Sequence, residues 1–290
     1  MISYYSPSKV RFSAFGDWGS PTISQDRVLS VLHNKRNELD FCVLLGDNFY
    51  PDGIVDLEDP RWPQDIVQRF PSSLRLYAIL GNHDYHSSAI AQVLYTFQPS
   101  NKVWRMPFFY YAEEFPVGDD TLQMLFLDTA ILAPEFTVDI MSRCGVDAFR
   151  LKAFRNHASK HREEHVKWLH QQLSFSKARW KVVCGHYPIA SGGPHPVCTY
   201  LRHVLLPLFQ QYGVHLYLSG HDHNAQVIQQ GNVCCVVGGG VSMVVPPPHF
   251  HPGTVFSSMV PGQFVVEATP TNLTLTYVDA TNRIIFEHSL

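Results

Sequence analysis

Phe41-Cys-Val-Leu-Leu-Gly-Asp-Asn-Phe-Tyr50 is the stretch on which the fold turns. Its first five residues, Phe41 to Leu45, are all apolar. That is the length and continuity of a strand buried on both faces. Gly46 then allows a tight turn, and Asp47, Asn48 and Tyr50 follow at once. Open α/β sheets place their ligands at the carboxyl ends of strands. The three polar groups are therefore expected at a site and not in an idle loop.

The same arrangement recurs in Phe15-Gly-Asp-Trp-Gly19, Leu80-Gly-Asn-His-Asp84, Cys184-Gly-His-Tyr-Pro188 and Ser219-Gly-His-Asp-His223. A single Gly-Asp or Gly-His after a strand is an ordinary turn. Five of them, each closing an apolar run, are not explained by turns. The remaining chain fits around them. Strands are expected at 11–15, 74–80, 108–111, 122–127, 180–184 and 214–218. Helices are expected at 23–39, 65–70, 87–95, about 157–173, and 197–212. Beyond Val227 the pattern turns to strands, at Val227, 233–237, 264–268, 273–277 and 284–286. A βα-alternating front with a strand-rich tail predicts an α/β fold of sheets flanked by helices, as one domain over residues 1–290.

Composition narrows the function. The 290 residues carry 45% apolar side chains, but only 16% are Asp, Glu, Lys or Arg, against roughly 25% in an average soluble protein. Histidine numbers 16, and the formal net charge is −3. No basic stripe exists to hold a nucleic-acid backbone. No apolar run approaches the ~20 residues of a membrane span. Met1 to Val10 is polar and lacks the pattern of a signal peptide. Six cysteines, none in a C-x-x-C pair, are too few for a disulfide-built scaffold of this length. The adjacent Cys234 and Cys235 read as core.

The motif residues are Asp17, Asp47, Asn48, Tyr50, Asn82, His83, Asp84, His186, His221 and His223. Carboxylate, amide and imidazole donors in this mixture suit iron, zinc or manganese and not calcium. They are too many for one ion and about enough for two. Two ions need a bridging carboxylate, and Asp47 is its natural source. Such a pair activates water, orients phosphate and neutralises charge during in-line displacement. Phosphoester hydrolysis is the reaction that most needs this arrangement.

The ordered set Gly-Asp-x-Gly, Gly-Asp-Asn-x-x-Tyr, Gly-Asn-His-Asp, Gly-His-Tyr-Pro and Gly-His-Asp-His resembles the metallophosphoesterase superfamily. Asp17-Trp18-Gly19 in place of Asp-x-His, together with Tyr50 three residues after Asp47, is similar to the purple acid phosphatases. The short chain resembles their small, tartrate-resistant mammalian type, from Arg11 to about Phe286. The resemblance implies a four-layer αββα sandwich of two mixed β-sheets flanked by helices. It also implies an acid phosphatase hydrolysing phosphomonoesters, with Fe(III) held by Asp17, Asp47, Tyr50 and His223. A second divalent ion, Fe, Zn or Mn, would sit on Asp47, Asn82, His186 and His221, and a metal-bound hydroxide would be the nucleophile. Hard Fe(III) suits two carboxylates and a phenolate, whereas imidazoles and an amide suit a softer divalent ion. His83, and His195 nine residues after His186, would face the substrate as catalytic groups, with Asp84 orienting His83.

Other features carry weaker expectations. His157, His161 and His165 share one helix face by spacing. That spacing can bind metal, but a solvated face is the simpler reading. His249 and His251, in a proline-rich loop, are candidates to line the substrate mouth. The resemblance implies a Cys144–Cys198 disulfide, which with the sequon at Asn272 would point to a secretory or lysosomal-type compartment. The segments 131–147 and 241–261 depart from the family pattern and are expected to border the site. The chain is expected to be monomeric, with no nucleic-acid partner. Two alternatives remain open: another metallophosphoesterase, acting on phosphodiesters or phosphoproteins, or a catalytically inactive scaffold relative.

Overall fold

Alternation of apolar strands with one-sided helices, as the sequence predicts, builds two sheets face to face. A computed structural model of the chain describes residues 7–246 and 249–290. The first sheet is centred on β1 (Val10–Phe15), β2 (Phe41–Leu44), β3 (Arg75–Ala78) and the two-residue β4 (Trp104–Arg105). These four run parallel. β12 (Gly262–Ala268) joins β1 antiparallel and leads through β13 (Leu273–Asp279) to β14 (Ile284–Ser289) at the edge.

The second sheet has a parallel core of β6 (Asp120–Phe126), β7 (Trp180–Cys184), β8 (Leu216–Ser219) and β10 (Val233–Gly238). β5 (Tyr111–Val117) closes one edge. β9 (Ala225–Gln230) and β11 (Thr254–Ser258) close the other, all antiparallel to their neighbours. Among the described residues each sheet has seven strands. Both are mixed, which agrees with the expected sandwich.

Aromatic rings fill the space between the sheets. Phe41 of β2 stacks on Phe115 of β5 at 4.4 Å, and Tyr77 of β3 stacks on Phe126 of β6 at 5.7 Å. Phe12, Phe41, Phe126 and Tyr277 are fully buried there. Each buried ring of this size contributes about 1.5–3 kcal/mol by leaving water.

Helices cover the outer faces. α1 (Ile23–Lys35) starts where the Thr22 hydroxyl accepts the Gln25 N–H, and it buries Val28, Leu29, Val31 and Leu32. α2 (Ala89–Tyr95) lies between β3 and β4 in the chain. α3 (Thr129–Leu132), α4 (Pro134–Arg143), α5 (Ala148–Phe175) and α6 (Thr199–Tyr212) belong to the second sheet's connections.

Several boundaries differ from expectation. α5 begins nine residues earlier, because Asp147 caps it by accepting the Arg150 N–H. α4 was not expected. The strand predicted at 108–111 in fact starts at Tyr111 and runs to Val117. The helix predicted at 65–70 is a wide π-turn helix over Trp62–Val67.

Two further expectations are corrected. Cys144 is exposed and Cys198 buried, and both are free thiols, so the implied disulfide is not made. The histidine face of α5 is only partly solvated, with His157 and His161 half-buried. His165 is completely buried, and its ring stacks on Tyr110 at 4.0 Å and 6°. The apolar turn 108–110 has packed over this face and taken the place of solvent.

Candidate metal centre

The carboxyl ends of β1, β2 and β3 in one sheet and of β7 and β8 in the other meet at one place. One backbone bond joins the two sheets here, Gly16 N–H after β1 to Gly238 O of β10 at 2.8 Å, while Gly185 N–H to Leu218 O at 3.0 Å ties β7 to β8 within the second sheet. The glycines also make room. A Cβ on Gly220 would lie 2.6 Å from Asp17 Oδ2, and one on Gly81 would overlap the Asp47 carboxylate.

The residue after the glycine is strained at three of the motifs. Asp17, Asp47 and His221 have φ of 54°, 52° and 70°. This left-handed region suits glycine and is costly for a residue with a Cβ. Strain of this kind, about 1–3 kcal/mol per residue, persists where the surroundings impose it.

The side chains so placed converge. The Tyr50 hydroxyl donates to Asp47 Oδ2 at 2.9 Å and to Asp17 Oδ1 at 3.2 Å. It lies 3.5 Å from His223 Nε2. His186 Nε2 is 3.2 Å from Asn82 Oδ1 and 3.6 Å from Asp47 Oδ2, while His223 Nε2 is 3.6 Å from Asp17 Oδ1. Ligand atoms of Asp17, Asp47 and His186 lie within 4.8 Å of one another. The structure thus brings all seven predicted ligand positions to one site, with His221 stacked edge-on to His186 at 5.2 Å.

The donors fit a cation. Asp17 and Asp47 are buried side by side with a phenol between them. Burial, with a further push from Asp47, raises the Asp17 carboxyl to about 7. Two buried nitrogens, His221 Nε2 and His223 Nδ1, have no hydrogen-bond partner, an uncommon state for buried polar atoms. Cations among these groups would offset the carboxylate repulsion and engage unpaired imidazole.

Neighbouring groups aim the imidazoles. His186 Nδ1 donates to Leu45 O at 2.9 Å, which leaves Nε2 as the free donor atom. His83 Nδ1 donates to Pro51 O at 2.6 Å, and its backbone N–H is held by Asp47 Oδ1 at 2.9 Å. His195 donates from both its backbone N–H and Nδ1 to Asp222 Oδ1, at 3.1 and 2.9 Å. That bond raises the His195 imidazole above its usual range. The His195 ring lies 4.5 Å from His221 and 6.1 Å from His223.

Asp84 does not orient His83, contrary to expectation. It turns into the protein, accepting from Gly81 N at 2.8 Å, Gln92 Nε2 at 2.8 Å and Asn48 N at 3.1 Å. Asn48 is buried in the same network and accepts Trp18 Nε1–H at 3.0 Å. These bonds fix the turn after β2, and hence Asp47.

Asp222 was missed in the sequence, although it stands between His221 and His223. It is buried, and besides His195 it accepts from the Ser191 hydroxyl. The 241–261 segment borders the site as expected: Val245 N–H donates to His223 O at 2.6 Å. The His249 carbonyl lies where a side chain on Gly192 would sit, and His251 Nε2 faces Arg202 at 3.4 Å.

A sequence model of the calcineurin-like phosphoesterase family matches residues 10–225. The mouse tartrate-resistant acid phosphatase type 5 is 31% identical, over 97% of this chain and 90% of its own length. Purple acid phosphatase 17 of Arabidopsis thaliana is 32% identical over 76% of this chain and 64% of its own. Among solved structures, GAP50, the anchor in the inner membrane complex of Plasmodium, is 27% identical with a TM-score of 0.82. That likeness covers 98% of this chain and 89% of the other. With the metal-suited cluster at the strand ends, these likenesses mean that the chain belongs to the calcineurin-like phosphoesterase family and that its relatives include tartrate-resistant and purple acid phosphatases.

Proposed function

We infer that the chain is a single-domain acid phosphatase that hydrolyses phosphomonoesters at a dinuclear centre of Fe(III) and a divalent Fe, Zn or Mn ion. Asp17, Tyr50 and His223 would hold the ferric ion, Asn82, His186 and His221 the divalent one, and Asp47 both. When bound, such ions supply Lewis acidity that activates water and neutralises phosphate charge. The observation that carries this reading is the Tyr50 hydroxyl within 3.2 Å of both Asp17 and Asp47. A phenol wedged between two buried carboxylates matches the demand of Fe(III) for anionic oxygen.

This chain's own residues supply the rest. His83 and His195 spend Nδ1 on Pro51 O and Asp222. Each therefore keeps Nε2 for the substrate, where the protonated ring can donate to a phosphate oxygen or give its proton to the leaving alkoxide. Asn48, Asp84 and Gln92 hold the Asp47 turn still. Asp47, Asn48, Asp84 and Gln92 are buried, so bulk water does not screen the contacts among them.

The test is spectroscopic and kinetic on one sample. Purified holoprotein is expected to show a visible charge-transfer band, lost in Tyr50→Phe, and to prefer phosphomonoesters over phosphodiesters. A colourless, manganese-dependent phosphodiesterase would overturn the reading.

A second reading, an inactive anchor-like scaffold, is favoured by the likeness to GAP50. Retention of the Asp17, Asp47, Tyr50, Asn82, His186, His221 and His223 set, and of His83, weighs against it. Full metal occupancy without turnover of p-nitrophenyl phosphate anywhere between about pH 4 and 8 would support it.

A further inference from the structure

α5 carries a second group of histidines that the phosphoesterase site does not use. His157 and His161 are one helical turn apart, and their ring centroids lie 4.7 Å from each other. His157 Nε2 and His161 Nδ1 are both hidden from solvent, and neither has a hydrogen-bond partner among the described residues. One turn further on, His165 is fully buried, and neither of its ring nitrogens has a partner. Buried polar atoms are nearly always satisfied by protein or water. Four unpaired imidazole nitrogens along one helix face are a departure that calls for a ligand.

We propose that His157 and His161 form a transition-metal site for a divalent ion of the Zn2+, Ni2+ or Cu2+ class, separate from the phosphoesterase centre. Two histidines at i and i+4 can chelate one ion from a single helix face. No ring nitrogen of the pair is committed to a carboxylate or carbonyl, so both are available. An all-imidazole set selects these ions over Mg2+, Ca2+ or Mn2+.

The surroundings agree with a bound ion. Burial lowers His157 to about 4, with smaller pushes from His161 and Lys160, so the ring is neutral, as a ligand must be. A cavity of about 360 Å3 reaches His157 from the side of Phe109 and Phe154, away from His161, and gives waters a path to that ring. Phe109 packs on both rings, at 4.6 and 6.3 Å. An ion there would therefore fasten α5 to the turn before β5. His165, stacked on Tyr110, is at most an added ligand.

The experiment uses holoprotein with its phosphoesterase metals in place and free metal removed. Ni2+ is titrated by calorimetry, and Cu2+ binding is read by EPR. The natural chain is expected to take up one further ion, with nitrogen couplings in the Cu2+ spectrum, and to melt at a higher temperature in Ni2+. His157→Gln combined with His161→Gln is expected to lose the extra ion and the melting shift while keeping phosphatase turnover. Single His161→Gln, at a half-buried position, covers the case in which the pair fails to fold, and should bind at least tenfold more weakly. Equal uptake by natural and variant chains, or no uptake by the natural chain, overturns the proposal.

Discussion

Histidines gather in two places in this chain and are treated in opposite ways. At the sheet edges, His83, His186 and His195 each give one ring nitrogen to an oxygen, from Pro51, Leu45 and Asp222. On α5, His157, His161 and His165 pack on Phe109, Tyr110 and Trp168, and no oxygen serves their buried nitrogens. An imidazole tied to an oxygen has a fixed tautomer, so its other nitrogen is aimed. His165, buried against Tyr110 with no such tie, is held neutral by burial alone. Neighbours, and not the count of histidines, decide which of them does chemistry.

The largest test of that contrast is Asp47→Ala, which removes the group every edge residue is arranged around. Phosphomonoester turnover is expected to fall about 10^3-fold or more. Steady-state rates within tenfold of the natural chain would break the assignment of the edge cluster as the site. Next is Asp222→Asn, which loosens His195 without touching substrate. A loss of about 10- to 100-fold in kcat is expected, with unchanged melting. If kcat holds, the tie between Asp222 and His195 has no catalytic value.

The α5 side is probed by pH. Burial lowers His165 to about 3, against 6.5 when exposed. Between those values the unfolded chain binds the extra proton, so stability is whole above about pH 6.5 and is lost as pH falls. The slope is about 1.4 kcal/mol per pH unit, or about 2 kcal/mol between pH 6.5 and 5. Urea melts of His165→Phe, which keeps a ring against Tyr110, should show a flatter pH dependence; an identical slope would refute the account. The smallest effect belongs to His170→Ala. His170 lies on the same helix but is exposed, bonded only to the Tyr212 hydroxyl at 3.0 Å. Its removal should shift stability by less than about 0.5 kcal/mol.

The parts of the molecule that were legible in the sequence are those encoded locally. An apolar run, a glycine and a polar residue occupy neighbouring positions, so β2 and Asp47 could be read together, as could β8 and His221. Groups that meet only through tertiary contact could not be read this way. Gln92 reaches Asp84 from α2, and Ser191 reaches Asp222 from another loop. Asp84 sits next to His83 in sequence but bonds on the opposite side of the turn, so adjacency misled. β5 was obscured by Glu113, Glu114 and Pro116, which break strand patterning. Its place at the sheet edge makes them tolerable. The solvated reading of α5's histidines failed because helix spacing shows which residues share a face, not what covers it.

The positive φ values of Asp17, Asp47 and His221 have a consequence for how the chain can decay. Glycine at any of the three would relieve backbone strain, and at the two aspartates it would also remove a buried carboxylate. The same exchange would strip the donor set. At these positions relief of strain is set against the acceptors that the Tyr50 hydroxyl and the His83 and His221 N–H groups would lose, and against the site itself, the usual trade between stability and activity. A chain maintained only for its shape would have no need to hold side chains in this backbone region at three places. One that still carries all three side chains bears their strain for the sake of what they hold.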